Sequence, residues 1–161
     1  MSNLPVVPRK WQLKAHGEKN VFVKSPGESP AHIVMKALLW ALYLPDYPGM
    51  RVEVRIGDRY KPDLISLDSQ GNPVFWGEAG KVSPDKIQSI ARRFPSTHFA
   101  LAKWDTSLAP HIQHVAAALN DLRREAPFDL IRFPEDSFAR FIGRRGEIVI
   151  DFADVVWHRF A

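Results

Sequence analysis

Between positions 30 and 44 the chain is apolar on nearly every side of a helix. Ile33, Val34, Met35, Ala37, Leu38, Leu39, Trp40 and Leu42 leave almost no polar face. A helix of this kind is buried on most of its sides, so the rest of the fold has to surround it. Ser29 can cap it, with Pro30 at the first helical position, and the run Pro45-Asp46-Tyr47-Pro48-Gly49 ends it. A chain of 161 residues, 45% hydrophobic and 25% charged, is long enough to bury such a helix without covalent staples. It has no cysteine, which removes disulfides, cysteine-ligated zinc and thiol catalysis. The longest apolar run, 37–44, is too short to span a bilayer, and residues 1–5 lack the features of a secretory signal. A cytoplasmic protein without a membrane partner is expected.

Around that helix the pattern alternates between strand and helix. Segments 10–16 and 19–24 read as a short hairpin. Three extended segments, 51–56, 59–67 and 73–78, are joined by turn signals at Gly57-Asp58 and 68–72, which makes them antiparallel neighbours. A helix over 84–94, a strand over 97–104, an amphipathic helix over 110–125 and a strand over 128–133 follow. Segments 138–142 and 147–152 read as a final hairpin across Gly143-Arg144-Arg145-Gly146. The order predicts an α+β (α/β-like) fold, with a mixed central β-sheet flanked by helices and a β-hairpin at each end. No repeat or linker divides it. The expected single domain, 1–161, comprises a basic hairpin (1–24), a core (25–125) and a C-terminal strand extension (126–161).

The net charge of +4 is concentrated in one place. Residues 1–24 hold Arg9, Lys10, Lys14, Lys19 and Lys24 against Glu18 alone, and the remainder is neutral. A basic arm on a neutral body suits a polyanion such as nucleic acid, with Lys10, Lys14 and Lys19 as candidate phosphate contacts. A solvated edge hairpin protected by lysines gives the same pattern.

Two carboxylates stand out. Asp63 follows Pro62 within an apolar stretch, and Glu78 ends the run Val74-Phe75-Trp76-Gly77. Across the intervening turn, adjacent antiparallel strands would bring them side by side. Two close carboxylates repel unless a divalent cation lies between them, and oxygen donors are what Mg²⁺ prefers. Ion pairs with Lys61 and Lys81 would be the purely structural alternative.

Pro62-Asp63, then Glu78-Ala79-Gly80-Lys81 at the end of a hydrophobic strand, resembles the PD-(D/E)XK nuclease signature. The basic N-terminal hairpin, the Glu-headed helix with Lys36-Ala37-Leu38-Leu39-Trp40 and the late Trp157 are similar to its YaeQ-type branch. The resemblance implies a restriction-endonuclease-like core and a metal-dependent nucleic-acid phosphodiesterase. Asp63 and Glu78 would hold Mg²⁺ (or Mn²⁺), with Glu28, ahead of the first helix, as third acid. In the superfamily pattern lysine stands two positions after the second acid, where this chain has Gly80. Lys81, Lys86 or no lysine then fills that role, and Gln88 would touch water or phosphate. A non-catalytic nucleic-acid or protein-binding module on the same fold is the alternative, and a structural protein with lysine-paired carboxylates is a third.

Finer expectations follow. Like-charged neighbours should raise the pKa of Glu28, although a helix dipole alone would also favour an acid there. Lys36, about 12 Å along the helix from Glu28, should not share its ligands. His111 and His114, one turn apart without a visible third ligand, read as surface histidines, as Arg92-Arg93 and Arg144-Arg145 read as solvated. Trp40, Phe75, Trp76, Phe94 and Phe99 read as core. The oligomeric state is not legible.

Overall fold

The computed structural model describes Leu4 and residues 6–161. Of the N-terminal stretch read above for a secretory signal, only Leu4 lies within the described residues. The chain runs through β1 (Lys10–Ala15), β2 (Glu18–Val23), α1 (Pro30–Tyr43), β3 (Arg51–Val52), β4 (Leu64–Leu67) and β5 (Pro73–Ala79). Then come α2 (Pro84–Arg93), β6 (His98–Trp104), α3 (Ala109–Leu119), β7 (Phe128–Phe133), α4 (Ser137–Phe141) and β8 (Val156–Phe160). Strands β3 to β8 form one six-stranded sheet in chain order, and β1–β2 form a separate hairpin. As the short turns require, β3, β4 and β5 are antiparallel neighbours. β5, β6 and β7 are parallel, and β8 closes the sheet antiparallel to β7. The fold is mixed α+β, as expected.

The apolar helix dictates this arrangement. Every residue of α1 from Ile33 to Tyr43 is buried. Its inner side lies on the sheet: Tyr43 packs against Phe75 with ring centroids 4.6 Å apart. Leu39 approaches so closely that a Cβ on Gly77 would sit 3.1 Å from its methyl. On its outer side Trp40 meets Phe22 of the hairpin edge-on at 5.6 Å. The hairpin therefore supplies the second cover that an all-apolar helix needs. It turns through His16 (φ 50°) and Gly17 (φ 79°), the paired positive φ values of a tight type I′ connection. The α2–α3 pair packs on the opposite face over Ile65, Trp76, Phe99, Leu101 and Leu130. No helix among the described residues is long and apolar enough to cross a membrane.

Four elements differ from their expected extent. β3 stops after Val52 because Glu53 turns out of the strand at φ 54° and its carboxylate takes a hydrogen bond from Lys36. β4 begins only at Leu64. α3 ends at Leu119, where Asn120 leaves helical geometry and Asp121 adopts φ 64°. The C-terminal hairpin is reduced to one bridge, Ile142 to Ile148, because 137–141 is helical. Phe138 and Phe141, three apart, both turn inward only on a helix. The last strand is β8 instead.

At the amino ends of the parallel strands lies a buried polar cluster. Asp129 (0% exposed) accepts from Tyr43 Oη at 2.6 Å and pairs with His98 Nε2 at 2.7 Å. Arg159 of β8 donates to both of its oxygens, at 2.8 and 3.0 Å. This cluster ties α1 to both β6 and the closing strand.

Candidate active site

At the other end of the sheet β5 runs out between the capped N-termini of α1 and α2. Asp63 immediately precedes β4, and the register that pairs Leu64 with Gly77 sets it opposite Glu78. The two carboxyls lie close enough for the charge of Asp63 to raise Glu78. Asp63 Oδ2 accepts from the Ala79 N–H at 2.9 Å, and Glu78 Oε1 from Trp76 Nε1 at 3.2 Å. Burial and the charge of Asp63 push Glu78 up to about 7 against the opposing pull of Lys86. Burial raises Asp63 too, but hydrogen bonds from His32, the Ala79 N–H and Glu78 bring it below the usual carboxylate range. Of the two, Glu78 therefore keeps its proton to the higher pH. The expected juxtaposition is present.

Glu28 reaches the pair through an intermediary. His32, in the first turn of α1, hydrogen-bonds Glu28 through Nδ1 and the Ala79 carbonyl through Nε2 at 3.0 Å. The same Nε2 lies 3.6 Å from Asp63 Oδ2. Hydrogen bonding to Asp63 leads the effects that hold this imidazole up at about 9, against the opposing cost of burial. The expectation for Glu28 itself is corrected. Burial alone would raise it, but hydrogen bonds from Lys36, the Ser25 N–H and His32 bring it below its ordinary value. The expectation for Lys36 is corrected as well: its Nζ is 2.7 Å from Glu28 and 2.6 Å from Glu53. Glu28 lies in the loop before the cap, not on the helix, and a long side chain tilted toward the N-terminus spans the gap. Lys36 is 1% exposed and bridges the nearly buried Glu28 and the partly exposed Glu53.

The lysine question is answered by the backbone. At Gly80 the chain leaves β5 with φ +88°, and a Cβ there would stand 3.3 Å from the His32 ring. A side chain at this position would be strained in conformation and crowded by His32. Gly80→Ala should cost about 1–2 kcal/mol, read as a lower denaturant midpoint with an unchanged m-value. Lys81 is exposed on the rim and makes no ion pair among the described residues. Lys86, in the first turn of α2, places Nζ 2.7 Å from Glu78 Oε1 and 5.1 Å over the Tyr60 ring. A cation in the first turn opposes the helix dipole, so its position is held by Glu78.

The other candidates are dispersed. Gln88 is exposed on the far side of α2, beside Asp85 and His114. Lys14 and Lys19 face each other at the hairpin tip, which is tied to the far end of α1 through His16 and the Ala41 carbonyl. Lys10 lies at the hairpin root, opposite Val23. Arg9 and Lys24 share a cleft there with Ser25 and Pro26, and those two residues also border the site. Sequence reasoning missed His32, Glu53 and the site role of Lys36. A histidine one turn inside a helix headed by an acid was the only legible signal, and Glu53 looked like the outward position of a strand.

Among the described residues no three His, Asp or Glu side chains are arranged to hold a metal. Asp63 and Glu78 could hold one divalent cation together: they are hard oxygen donors set opposite each other at the strand end. Glu28 does not fit as a ligand, because Lys36 and His32 both engage its Oε2.

No protein-family profile matches the chain, and no curated protein matches it. Solved structures do. The chain is similar to the YaeQ protein from Pseudomonas syringae (TM-score 0.60, 17% identity, 82% of this chain and 74% of that one). It is also similar to the YaeQ protein from Xanthomonas axonopodis pv. citri (TM-score 0.59, 14% identity, 89% and 82%). At these identities the likeness is one of architecture, and the chain has a YaeQ-like fold.

Proposed function

We propose that this protein is a metal-dependent phosphodiesterase of the PD-(D/E)XK, restriction-endonuclease-like class acting on nucleic acid. The observation that carries the reading is the Asp63–Glu78 pair, opposed in register at a strand end with Lys86 on Oε1 of Glu78. Nothing in packing requires two carboxyls to be set opposite each other at the end of a strand. Such perturbed pairs concentrate where chemistry is done. A bound Mg²⁺ or Mn²⁺ supplies Lewis-acid polarisation of the scissile phosphate and an acidified water. Asp63 and Glu78 are the residues that would hold it. His32 orients Asp63 and keeps its oxygen ionised, while Glu28 and Lys36 fix the His32 ring from behind. Lys86 offers a proton-rich ammonium beside the pair, suited to steering the nucleophile or to developing phosphate charge.

A non-catalytic binding module on this fold is the second reading. Gly80 favours it, because the backbone there excludes the usual lysine, as does the engagement of Glu28 by Lys36 and His32. Labelled DNA and RNA incubated with Mg²⁺ or Mn²⁺ separate the two, with Asp63→Ala as control. Cleavage by the wild type alone is the expected result. Lys86→Met should slow it about tenfold or more while binding persists, whereas Lys81→Met should not change the rate of the bound complex. Binding without cleavage under any divalent metal would favour the module.

A further inference from the structure

Beside the site, between α2 and α3, lies a groove of about 380 Å³ that the phosphodiesterase chemistry leaves unused. Its floor is aliphatic, built from Ile87, Leu101 and Val115. Its rim carries Lys81, Lys103, His111 and His114, and no acidic side chain lines it. Lys103 is the unusual member. It follows Leu101 on β6 with the period of the strand, so it shares the sheet face on which α2 and α3 pack. It is only 9% exposed, yet its one hydrogen bond is to the Gly80 carbonyl at 2.7 Å, and it has no ion pair among the described residues. A nearly buried ammonium without a counter-ion is costly unless an anion completes it. Burial, Lys103 and His114 together depress the pKa of His111, so the basic groups crowd one another without compensation. Lys81 lies on the border of both this groove and the Glu28–His32 side of the acid site.

We propose that this groove is a subsite for one unpaired nucleotide of a single-stranded nucleic acid, its phosphate on Lys103 and Lys81 and its base against the aliphatic floor, with the histidines at the rim. It rests on the reading of the adjacent site as acting on nucleic acid. A duplex keeps its bases stacked and paired and cannot seat a nucleotide in the groove, so its phosphates stay clear of the nearly buried Lys103. An unstacked base fills the apolar depth as well. The four basic groups select an anion, and the floor selects one that carries an apolar face. A groove of this size is at the small end of those that enclose ligands.

The test uses full-length protein carrying Asp63→Asn, without divalent metal, so that binding is read apart from cleavage. Fluorescein-labelled single-stranded and duplex oligonucleotides of one length are titrated by anisotropy at several salt concentrations. Lys103→Met should weaken single-strand binding about tenfold and lower its log–log salt slope by about 0.7, leaving duplex binding within twofold. His111→Gln, on an accessible helix face, should weaken it in the same direction and guards against a packing effect of Lys103→Met. Adenosine monophosphate should shift the His111 and His114 imidazole resonances at lower concentration than inorganic phosphate does. Equal potency of phosphate, equal competition by polyglutamate, or unchanged single-strand affinity in both variants would overturn the proposal. If the wild type cleaves but the groove variants bind normally, only the groove assignment falls. If the groove variants lose binding and no metal supports cleavage, the groove stands and the phosphodiesterase reading falls.

Discussion

Asp129→Ala is expected to destabilise the protein by about 3–5 kcal/mol, the loss typical of breaking one side of a buried ionic cluster. The carboxylate is completely buried and gathers Tyr43, His98 and both donor groups of Arg159. Its removal strands a buried phenol and imidazole between α1 and β6, while the part-exposed Arg159 guanidinium loses its partner but keeps access to water. Burial raises the Asp129 pKa, but hydrogen bonds from His98, Arg159 and Tyr43 outweigh it and bring it down to about 2. The folded-state value lies below the unfolded one, so this stabilisation is fully present above about pH 4 and lost as pH falls toward 2. Wild type should therefore lose stability steeply over that window, and Asp129→Asn should lose much of that slope. Equilibrium urea unfolding at pH 7 and at intervals down to pH 2.5 reads both effects. A loss below 1 kcal/mol in the alanine variant would mean that the cluster is not holding the sheet edge.

How much of this fold was legible depends on how local each signal is. The α1 pattern could be read because an all-apolar helix needs no knowledge of its neighbours, only that it has them. The antiparallel run β3–β4–β5 could be read from turn residues in the same way. The strand at 51–56 was overestimated because alternation of Arg51, Val52, Glu53 and Val54 is a local pattern. What ends it is a long-range ion pair between Glu53 and Lys36. Positions 138–142 illustrate the opposite failure. Two phenylalanines three residues apart fit one helical turn, and a short apolar stretch does not distinguish that turn from a strand.

The candidate site divides along the same line. Asp63 and Glu78 were visible because a short turn makes their strands neighbours, while the exact register depends on an irregularity between Ser66 and Leu67 that sets Asp63 opposite Glu78. Glu28 was placed in the right neighbourhood but with the wrong electrostatics, since its cationic partners come from positions 32 and 36. Helical rise gives the separation of backbones, not of side-chain tips. A lysine side chain that leans toward the helix N-terminus can cross that distance to a residue lying off the axis. Gly80 was legible as a departure, but its physical reason, a left-handed turn packed on His32, exists only in three dimensions.

Glu78→Gln should separate function from stability more sharply than any other change in this protein. Its carboxyl is raised to about 7 by burial and by Asp63, from an ordinary value of 4.5. For an acid whose folded pKa is raised, the associated stability is complete below about pH 4.5 and is lost as pH rises through about 7. At pH 8 the wild type carries two neighbouring ionised carboxylates, offset in part by Lys86. An amide there ends the repulsion, and the part-exposed ammonium of Lys86 can return to water. The variant should be about 1–3 kcal/mol more stable than wild type at pH 8, with the gain vanishing near pH 5. Cleavage, where the wild type shows it, should fall about a hundredfold or more, because a neutral amide is a poor ligand for a hard divalent cation. Denaturant unfolding at the two pH values and metal-dependent turnover on the same preparations give both readings. A variant that is less stable at pH 8 and keeps the wild-type pH slope would show that Asp63 and Glu78 are not a strained like-charged pair. The proposed metal site would then lose its physical basis.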